Sequence, residues 1–320
     1  MPKPSLYISR PLPVAVCNRI NDLFHAQFGS DEDIFDIESW LHAVASVDAV
    51  LVTVTEKLSA DVIARLPDSV RMITTFSVGY EHIDLEAARA RGITVTNTPG
   101  AVVEATADIA LLLMIGAARR AAEGGRMIRD NKWIGWRPTQ LLGQDVHGAR
   151  LGILGFGGIG QAVARRAGGF DMEIHYHGPR RKTGEHLPQA VYHDSLESLF
   201  EVSDFLSLHC PSDSQTRQIL NARTIELLPQ GAIVVNSARG DLVDDEALIA
   251  ALKTGRIAAA GLDVYAGEPA IHPGYRELEN VFLLPHLGTS TKATRTRMGM
   301  LALDSLEAFF TGVTVPHRLV

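Results

Sequence analysis

The chain has 320 residues, 46% hydrophobic and 21% charged, with a net charge of -7 at neutral pH. That composition belongs to soluble globular proteins and excludes disordered and fibrous classes; the length exceeds what one hydrophobic core usually serves, so two domains are expected. No basic stripe is interleaved with aromatics, which argues against nucleic acid as a partner, and the two cysteines, Cys17 and Cys210, give no disulfide framework and fit a reducing, cytoplasmic setting. The opening Met1-Pro2-Lys3-Pro4 lacks the apolar core of a secretory signal. The longest apolar stretch, Ala107 to Ala118, contains Asp108 and falls short of the ~20 residues a bilayer span needs, so no membrane association is expected.

Short β-rich runs alternate with amphipathic helical segments along the chain, the pattern of parallel sheets covered by helices, and the fold class is α/β. In the first third, Leu6 to Ile8, Ala49 to Val52, Met72 to Phe76 and Ile93 to Thr96 read as strands. The turn-forming cluster Asn97-Thr98-Pro99-Gly100 then opens a long helical segment from Ala101 to about Ile128, with few good breakers before Gly124-Gly125 and a length suited to bridging two domains. Trp133-Ile134-Gly135-Trp136-Arg137-Pro138 is aromatic and turn-rich and belongs on the surface or at a subunit contact. From Leu151 the alternation restarts, with six strands expected at Leu151 to Leu154, Glu173 to Tyr176, Phe205 to Leu208, Ala232 to Asn236, Ala260 to Val264 and Val281 to Leu284. A last helix, Ser290 to Phe310, is expected to pack back on the first domain.

The strongest local feature is the apolar strand Leu151-Gly152-Ile153-Leu154 running through Gly155-Phe156-Gly157-Gly158-Ile159-Gly160 into a helix. In such a Gly-x-Gly-x-x-Gly turn the first glycine, Gly155, permits the tight bend, Gly157 lets backbone approach a pyrophosphate, and Gly160 lets helix and strand pack closely. The helix-opening amides, from Gly158 and Ile159 onward, carry partial positive charge toward the phosphate. A packing turn is the plain alternative for the motif alone; the strand before it and the helix after it favour a dinucleotide.

The end of the following strand selects the cofactor, because an acid there accepts from the ribose 2′-hydroxyl whereas arginine accommodates a 2′-phosphate. The sequence reads His177-Gly178-Pro179-Arg180-Arg181-Lys182, with three cations and no carboxylate. Arg180 and Arg181 are therefore expected to hold a phosphate and to favour NADP(H), with NAD(H) possible; an ordinary solvated surface run is the alternative.

Three later strand ends carry polar groups where an open parallel sheet puts its ligand crevice: Arg239 after Val234 to Ala238, Glu268 after Leu262 to Gly267, and His286 after Leu283-Leu284-Pro285. Singly they read as a salt-bridge partner, a solvated turn and a hinge histidine. Together they supply what hydride transfer to a 2-oxo acid requires: a proton for the carbonyl oxygen and a cationic anchor for the neighbouring carboxylate. Histidine changes charge near neutral pH, a carboxylate beside it favours its charged form, and arginine forks onto a carboxylate. His82, His147, His175, His177 and His193 have no metal-ligand spacing with cysteines or acids, so no metal is expected.

These segments together resemble the D-isomer-specific 2-hydroxyacid dehydrogenase family, within it the glyoxylate/hydroxypyruvate reductase branch. The resemblance runs over nearly the whole chain, through Ser77 to Asp84, Asn97 to Gly100, Glu104 to Asp108, the glycine turn, His209-Cys210-Pro211, Asn236 to Gly240, Gly261 to Val264, Glu268-Pro269 and Pro285 to Gly288. It implies two doubly wound parallel-sheet domains with a cleft between them: a discontinuous flavodoxin-like substrate domain, residues 1–98 with 288–320, and an inserted Rossmann coenzyme domain, residues 99–287. It also implies a homodimer acting on a small 2-oxo or 2-hydroxy acid. The amides of Val78 and Gly79 would help hold the substrate carboxylate alongside Arg239 and His286. Thr106, Ala238 and Asp263 would lie at the cofactor, with Asp263 facing the nicotinamide carboxamide and Cys210 and Pro211 lining the adenosine side. Gly178 departs from the acid of NAD-preferring members, which strengthens the NADP(H) reading. Trp133 and Trp136 resemble the reductase branch, in which a tryptophan reaches the neighbouring subunit's substrate site; packing is the alternative for either. Competing readings are phosphoglycerate dehydrogenase, disfavoured because no regulatory domain follows Val320, and a cofactor-sensing binding protein without chemistry.

Overall fold

A computed structural model describes residues 3–31, 35–183 and 189–320. The chain divides into two compact units, Met1–Val102 with Ser290–Val320, and Val103–Thr289. The expected boundaries at 98/99 and 287/288 fall slightly early. Residues 100–102 form the turn that precedes the first helix of the second unit, and the amides of Leu287 and Gly288 are bonded to Asp263, which keeps that segment with the second unit.

Among the described residues, the first unit runs β1 (Ser5–Ile8), α1 (Val14–Leu23), β2 (His25–Phe28), α2 (Ile37–Ala43), β3 (Ala49–Val52), α3 (Ala60–Ala64), β4 (Met72–Thr75), α4 (Leu85–Ala90) and β5 (Thr94–Thr96). These strands form a parallel five-stranded sheet in the order β2-β1-β3-β4-β5. Every residue of β3 and β4 is buried, as strands covered on both faces must be. The strand β2 escapes the sequence reading: His-Ala-Gln-Phe has no β-branched residue and stays largely exposed, held at the sheet edge by pairing to β1. Asp36 and Asp84 cap α2 and α4 by accepting from the amides of Ser39 and Ala87.

The second unit runs α5 (Val103–Ala118), α6 (Ala121–Arg129), β6 (Arg150–Leu154), α7 (Gly158–Ala167), β7 (Glu173–His177), β8 (Val191–Tyr192), α8 (Leu196–Val202), β9 (Phe205–Leu208), α9 (Ala222–Ile225), β10 (Ala232–Asn236), α10 (Asp245–Thr254), β11 (Ile257–Leu262) and β12 (Val281–Leu283). Its seven strands are ordered β12-β11-β10-β9-β6-β7-β8 and all run parallel. One more strand is present than expected, the two-residue β8 at the edge, too short to carry a pattern. The single helix expected from Ala101 to Ile128 is two helices. Arg120 adopts a left-handed conformation (φ 53°) that ends the first, whereas Gly124 and Gly125 lie inside the second. The first of them, α5, is apolar on nearly every side and packs within the second unit against α7, β10 and β11.

The last helix, α11 (Lys292–Thr311), returns to the first unit, capped by Thr291 and packing Ala302, Leu303 and Leu306 against Leu6 and Ile8 of β1 and Val16 and Ile20 of α1.

The approach of α5 to the second sheet depends on glycine. A Cβ at Gly261 of β11 would lie 2.6 Å from the Leu113 carbonyl oxygen, and helix backbone cannot yield as a side-chain tip can. We predict that Gly261→Ala lowers stability by about 1–3 kcal/mol, read by chemical denaturation; an unchanged midpoint would show that the helix can retreat freely.

Candidate active site

In an open parallel sheet the ligand crevice opens outside the carboxyl ends of the strands, where neighbouring strands leave toward opposite sides. In the second unit that point lies between β6 and β9, and the glycine turn follows one while His209-Cys210-Pro211 follows the other. Gly155 takes φ +97°, and a Cβ there would sit 2.5 Å from the Cys210 amide nitrogen, so both conformation and space exclude a side chain. A Cβ at Gly160 would be 2.3 Å from the Gly155 carbonyl oxygen, whereas one at Gly157, the residue capping α7, would meet nothing within 4 Å. Two glycines serve close packing and the third opens onto free space, the division a pyrophosphate cradle requires. Gly158 and Ile159 open the ten-residue α7, whose first amides have no partner within the helix.

Beyond β7, Gly178 has room around its Cα: a Cβ added there would come no nearer to another group than 3.9 Å, at the Phe156 amide nitrogen. Arg180 and Arg181 are exposed and make no ion pair among the described residues. The segment is anchored beneath: the Tyr176 ring stacks on Phe156 at 4.0 Å and its hydroxyl accepts from the Lys182 amide at 3.0 Å. Their histidine neighbours are more connected than the sequence suggested. His175 Nδ1 lies 3.0 Å from His193 Nε2, and burial lowers the pKa of both, with the charge of His193 adding to the effect on His175 and that of His177 to the effect on His193.

The three candidate catalytic residues occupy the loops after β10, β11 and β12. Asn236 shapes the first loop, its amide donating to the Arg239 carbonyl (2.8 Å) and its oxygen accepting from the Ala238 amide (3.0 Å). Asp263, almost fully buried, shapes the last: its carboxylate accepts from the amides of Leu287 (2.6 Å) and Gly288 (2.7 Å), and its carbonyl accepts from the His286 amide (2.9 Å). Burial pushes the Asp263 carboxyl up while those two amides pull it down. Thr106 of α5 closes this corner with a hydrogen bond to the Gly288 carbonyl.

His286 is held at φ 55°, a left-handed conformation that is uncommon outside glycine and that clusters at functional sites. Its Nδ1 lies 2.7 Å from Glu268 Oε2, leaving Nε2 as the nitrogen free to exchange a proton. The hydrogen bond to Glu268 raises the His286 pKa against the opposing effect of burial; Asp263 adds to the rise and the Arg239 charge opposes it. Glu268 and Arg239 thus both act on His286. The sequence reading did not single out Tyr265, whose amide donates to the second oxygen of Glu268 (Oε1, 2.8 Å).

In the first unit, Val78 and Gly79 follow β4. Their carbonyls accept from Asn97 and from the Ser77 hydroxyl, and among the described residues neither amide donates to protein. Among the described residues no group of three or more His, Cys, Asp or Glu side chains is arranged to hold a metal ion, no helix is long and apolar enough to cross a membrane, and Cys17 and Cys210 are unpaired.

The family model described as the D-isomer-specific 2-hydroxyacid dehydrogenase, NAD-binding domain matches residues 111–288. A glycerate dehydrogenase of Hyphomicrobium methylovorum is 47% identical over all of both chains. A glyoxylate reductase of Korarchaeum cryptofilum is 40% identical over 99% of this chain and 96% of its own. Among solved structures, an NADPH-dependent glyoxylate/hydroxypyruvate reductase of Sinorhizobium meliloti, in complex with NADP and malonate, superposes with a TM-score of 0.87 at 30% identity, covering 99% of this chain and 97% of that one.

The sign of the His286–Glu268 linkage is fixed by the raised histidine pKa. The pair's contribution to stability is full below the unfolded-state value of about 6.5 and is lost as pH rises through the folded-state value. We predict that Glu268→Gln lowers the His286 pKa, measured by NMR titration of the imidazole. An unmoved titration would mean that Glu268 does not hold the charged ring.

Proposed function

The chain belongs to the D-isomer-specific 2-hydroxyacid dehydrogenase family, NAD(P)-dependent enzymes of 2-hydroxy acids, and on that premise we propose that it reduces glyoxylate and hydroxypyruvate to their D-2-hydroxy acids with NADPH. The observation that carries this reading is the Glu268-bound imidazole of His286 with Arg239 acting on it. The reading draws further support from relatives named glyoxylate reductase and from the glycine cradle.

When bound, the nicotinamide supplies the hydride. Gly155, Gly157, Gly158, Ile159 and Gly160 would hold its pyrophosphate, Cys210 and Pro211 the adenosine side, and Thr106, Ala238 and Asp263 the nicotinamide side. The chain's own groups do the rest. Arg239 forks onto the substrate carboxylate and draws charge from the adjacent carbonyl. His286 holds a proton on Nε2 and delivers it to the carbonyl oxygen as charge builds there. Glu268 favours the charged form of the ring and orients it through Nδ1. In the reverse direction the same nitrogen takes the hydroxyl proton.

The NADPH preference rests on Gly178, Arg180 and Arg181. An acid is lacking at the end of β7, and the two guanidinium groups have no protein carboxylate engaging them among the described residues. A homodimer is the proposed assembly. Ile128 near the end of α6 and Trp133, Ile134, Trp136 and Leu142 between α6 and β6 are all exposed, with Trp136 79% exposed, a run of apolar side chains suited to a subunit contact.

Oxidation of NADPH with a panel of 2-oxo acids tests the activity, and silence across the panel would remove it. His286→Ala is expected to lower kcat by ~10²–10⁴-fold; near-normal turnover would remove the proton donor. Replacing Arg180 and Arg181 by alanine is expected to weaken NADPH by about tenfold or more while leaving NADH efficiency close to its starting value. Equal losses with both cofactors would show that neither arginine reads the 2′-phosphate. Sedimentation equilibrium is expected to give twice the 34.7 kDa of one chain, and a monomer would contradict the assembly.

A further inference from the structure

Tyr265 has no part in the chemistry above, yet its contacts reach all three loops that carry Arg239, Glu268 and His286. Its amide donates to Glu268 Oε1, the oxygen that His286 does not use. Its hydroxyl lies 2.8 Å from the Leu284 carbonyl oxygen and 3.0 Å from that of Leu262. Leu262 ends β11 just before Asp263, and Leu284 stands two residues before His286. One hydroxyl hydrogen shared between two carbonyls ties these strand ends together beside the Leu284 amide to Leu262 carbonyl bond of 2.8 Å. The third contact is backbone on backbone. A Cβ at Gly240 would sit 1.9 Å from the Tyr265 carbonyl carbon and 2.2 Å from the Ala266 nitrogen, so the chain leaving Arg239 rests directly on the Tyr265–Ala266 peptide.

We infer that Tyr265 is the positioning residue of this site, joining the Arg239, Glu268 and His286 loops so that the imidazole keeps its carboxylate partner and the guanidinium its register. The inference rests on the catalytic reading above. The ring itself is buried in the core of the second unit near Tyr275, packing that a phenylalanine would reproduce; the hydroxyl is there for its hydrogen bonds. Burial raises the phenol pKa, so the hydroxyl remains a donor at every working pH. The charged groups acting on His286 are Glu268 after β11, Asp263 at the end of β11 and Arg239 after β10, and Tyr265 touches or adjoins the segment bearing each.

The test is Tyr265→Phe in the NADPH-bound protein, with two readouts: the pH profile of kcat/KM for 2-oxo acid reduction, and NMR titration of the His286 ring. Loss of the shared hydrogen bond is expected to lower kcat/KM by about fivefold to tenfold. The alkaline limb of the profile and the His286 titration should both move to lower pH, because a looser carboxylate contact favours the charged ring less. A lowered Tm with the titration and the pH profile both unmoved would make Tyr265 a packing residue and overturn the inference. Gly240→Ala probes the same junction from the other side and is expected to raise KM for the oxo acid by about tenfold or more; an unchanged KM would equally count against it. If the native protein proves inactive on 2-oxo acids, the catalytic reading fails, while the His286 titration in Tyr265→Phe still decides the positioning role.

Discussion

The hydrogen bond between His286 Nδ1 and Glu268 Oε2 is the interaction on which the rest of the site turns. It commits the Nδ1 nitrogen to protein and leaves Nε2 for the proposed proton transfer, and it raises the histidine pKa, which favours the charged ring. Neither partner is deeply buried, with side-chain exposures of 42% and 32%, so the bond is not shielded by a hydrophobic core. It persists because each partner is held from behind: Glu268 by the Tyr265 amide, and His286 by the main-chain carbonyl of Asp263.

Those backings explain several features that would otherwise be local curiosities. Asp263 is a nearly buried carboxylate whose burial cost is offset by two amides, and those amides belong to the two residues after His286. The left-handed backbone of His286 follows from that grip, since the chain must turn sharply after β12 to present its next two amides to one carboxylate. Gly240 and Gly155 do comparable work at two other strand ends, each letting backbone approach backbone at distances that no side chain permits. The carboxyl edge of the second sheet is therefore held together mainly by main-chain contacts and a few buried polar groups, which suits a site that must keep charged groups in register.

Much of this was legible in the sequence. Strands buried on both faces announce themselves as apolar runs, and the glycine turn, Arg239, Glu268 and His286 each stand just past such a run, where parallel sheets put ligands. What stayed hidden has physical causes. The edge strand β2 carries no apolar alternation because most of its surface meets water. The break after α5 rests on a left-handed arginine, a conformation to which composition gives no clue, while the adjacent glycines that look like breakers are accommodated in α6. Tyr265 was invisible as a functional residue because half of what it does is done by its backbone, and backbone contacts depend on how β10, β11 and β12 lie side by side.

The glycine turn also bears on the proposed cofactor. Gly157 faces open space while Gly155 and Gly160 are pressed against backbone, so the room in the turn is at the position proposed for the pyrophosphate. The central claim, that the Glu268-held imidazole is the proton donor, is tested most directly by the pH dependence of kcat/KM for glyoxylate reduction in the native protein. The account predicts activity that falls through a single alkaline limb with an apparent pKa above that of a free histidine, about 6.5. A profile that stays flat through that range, or that declines only on the acid side, would contradict it.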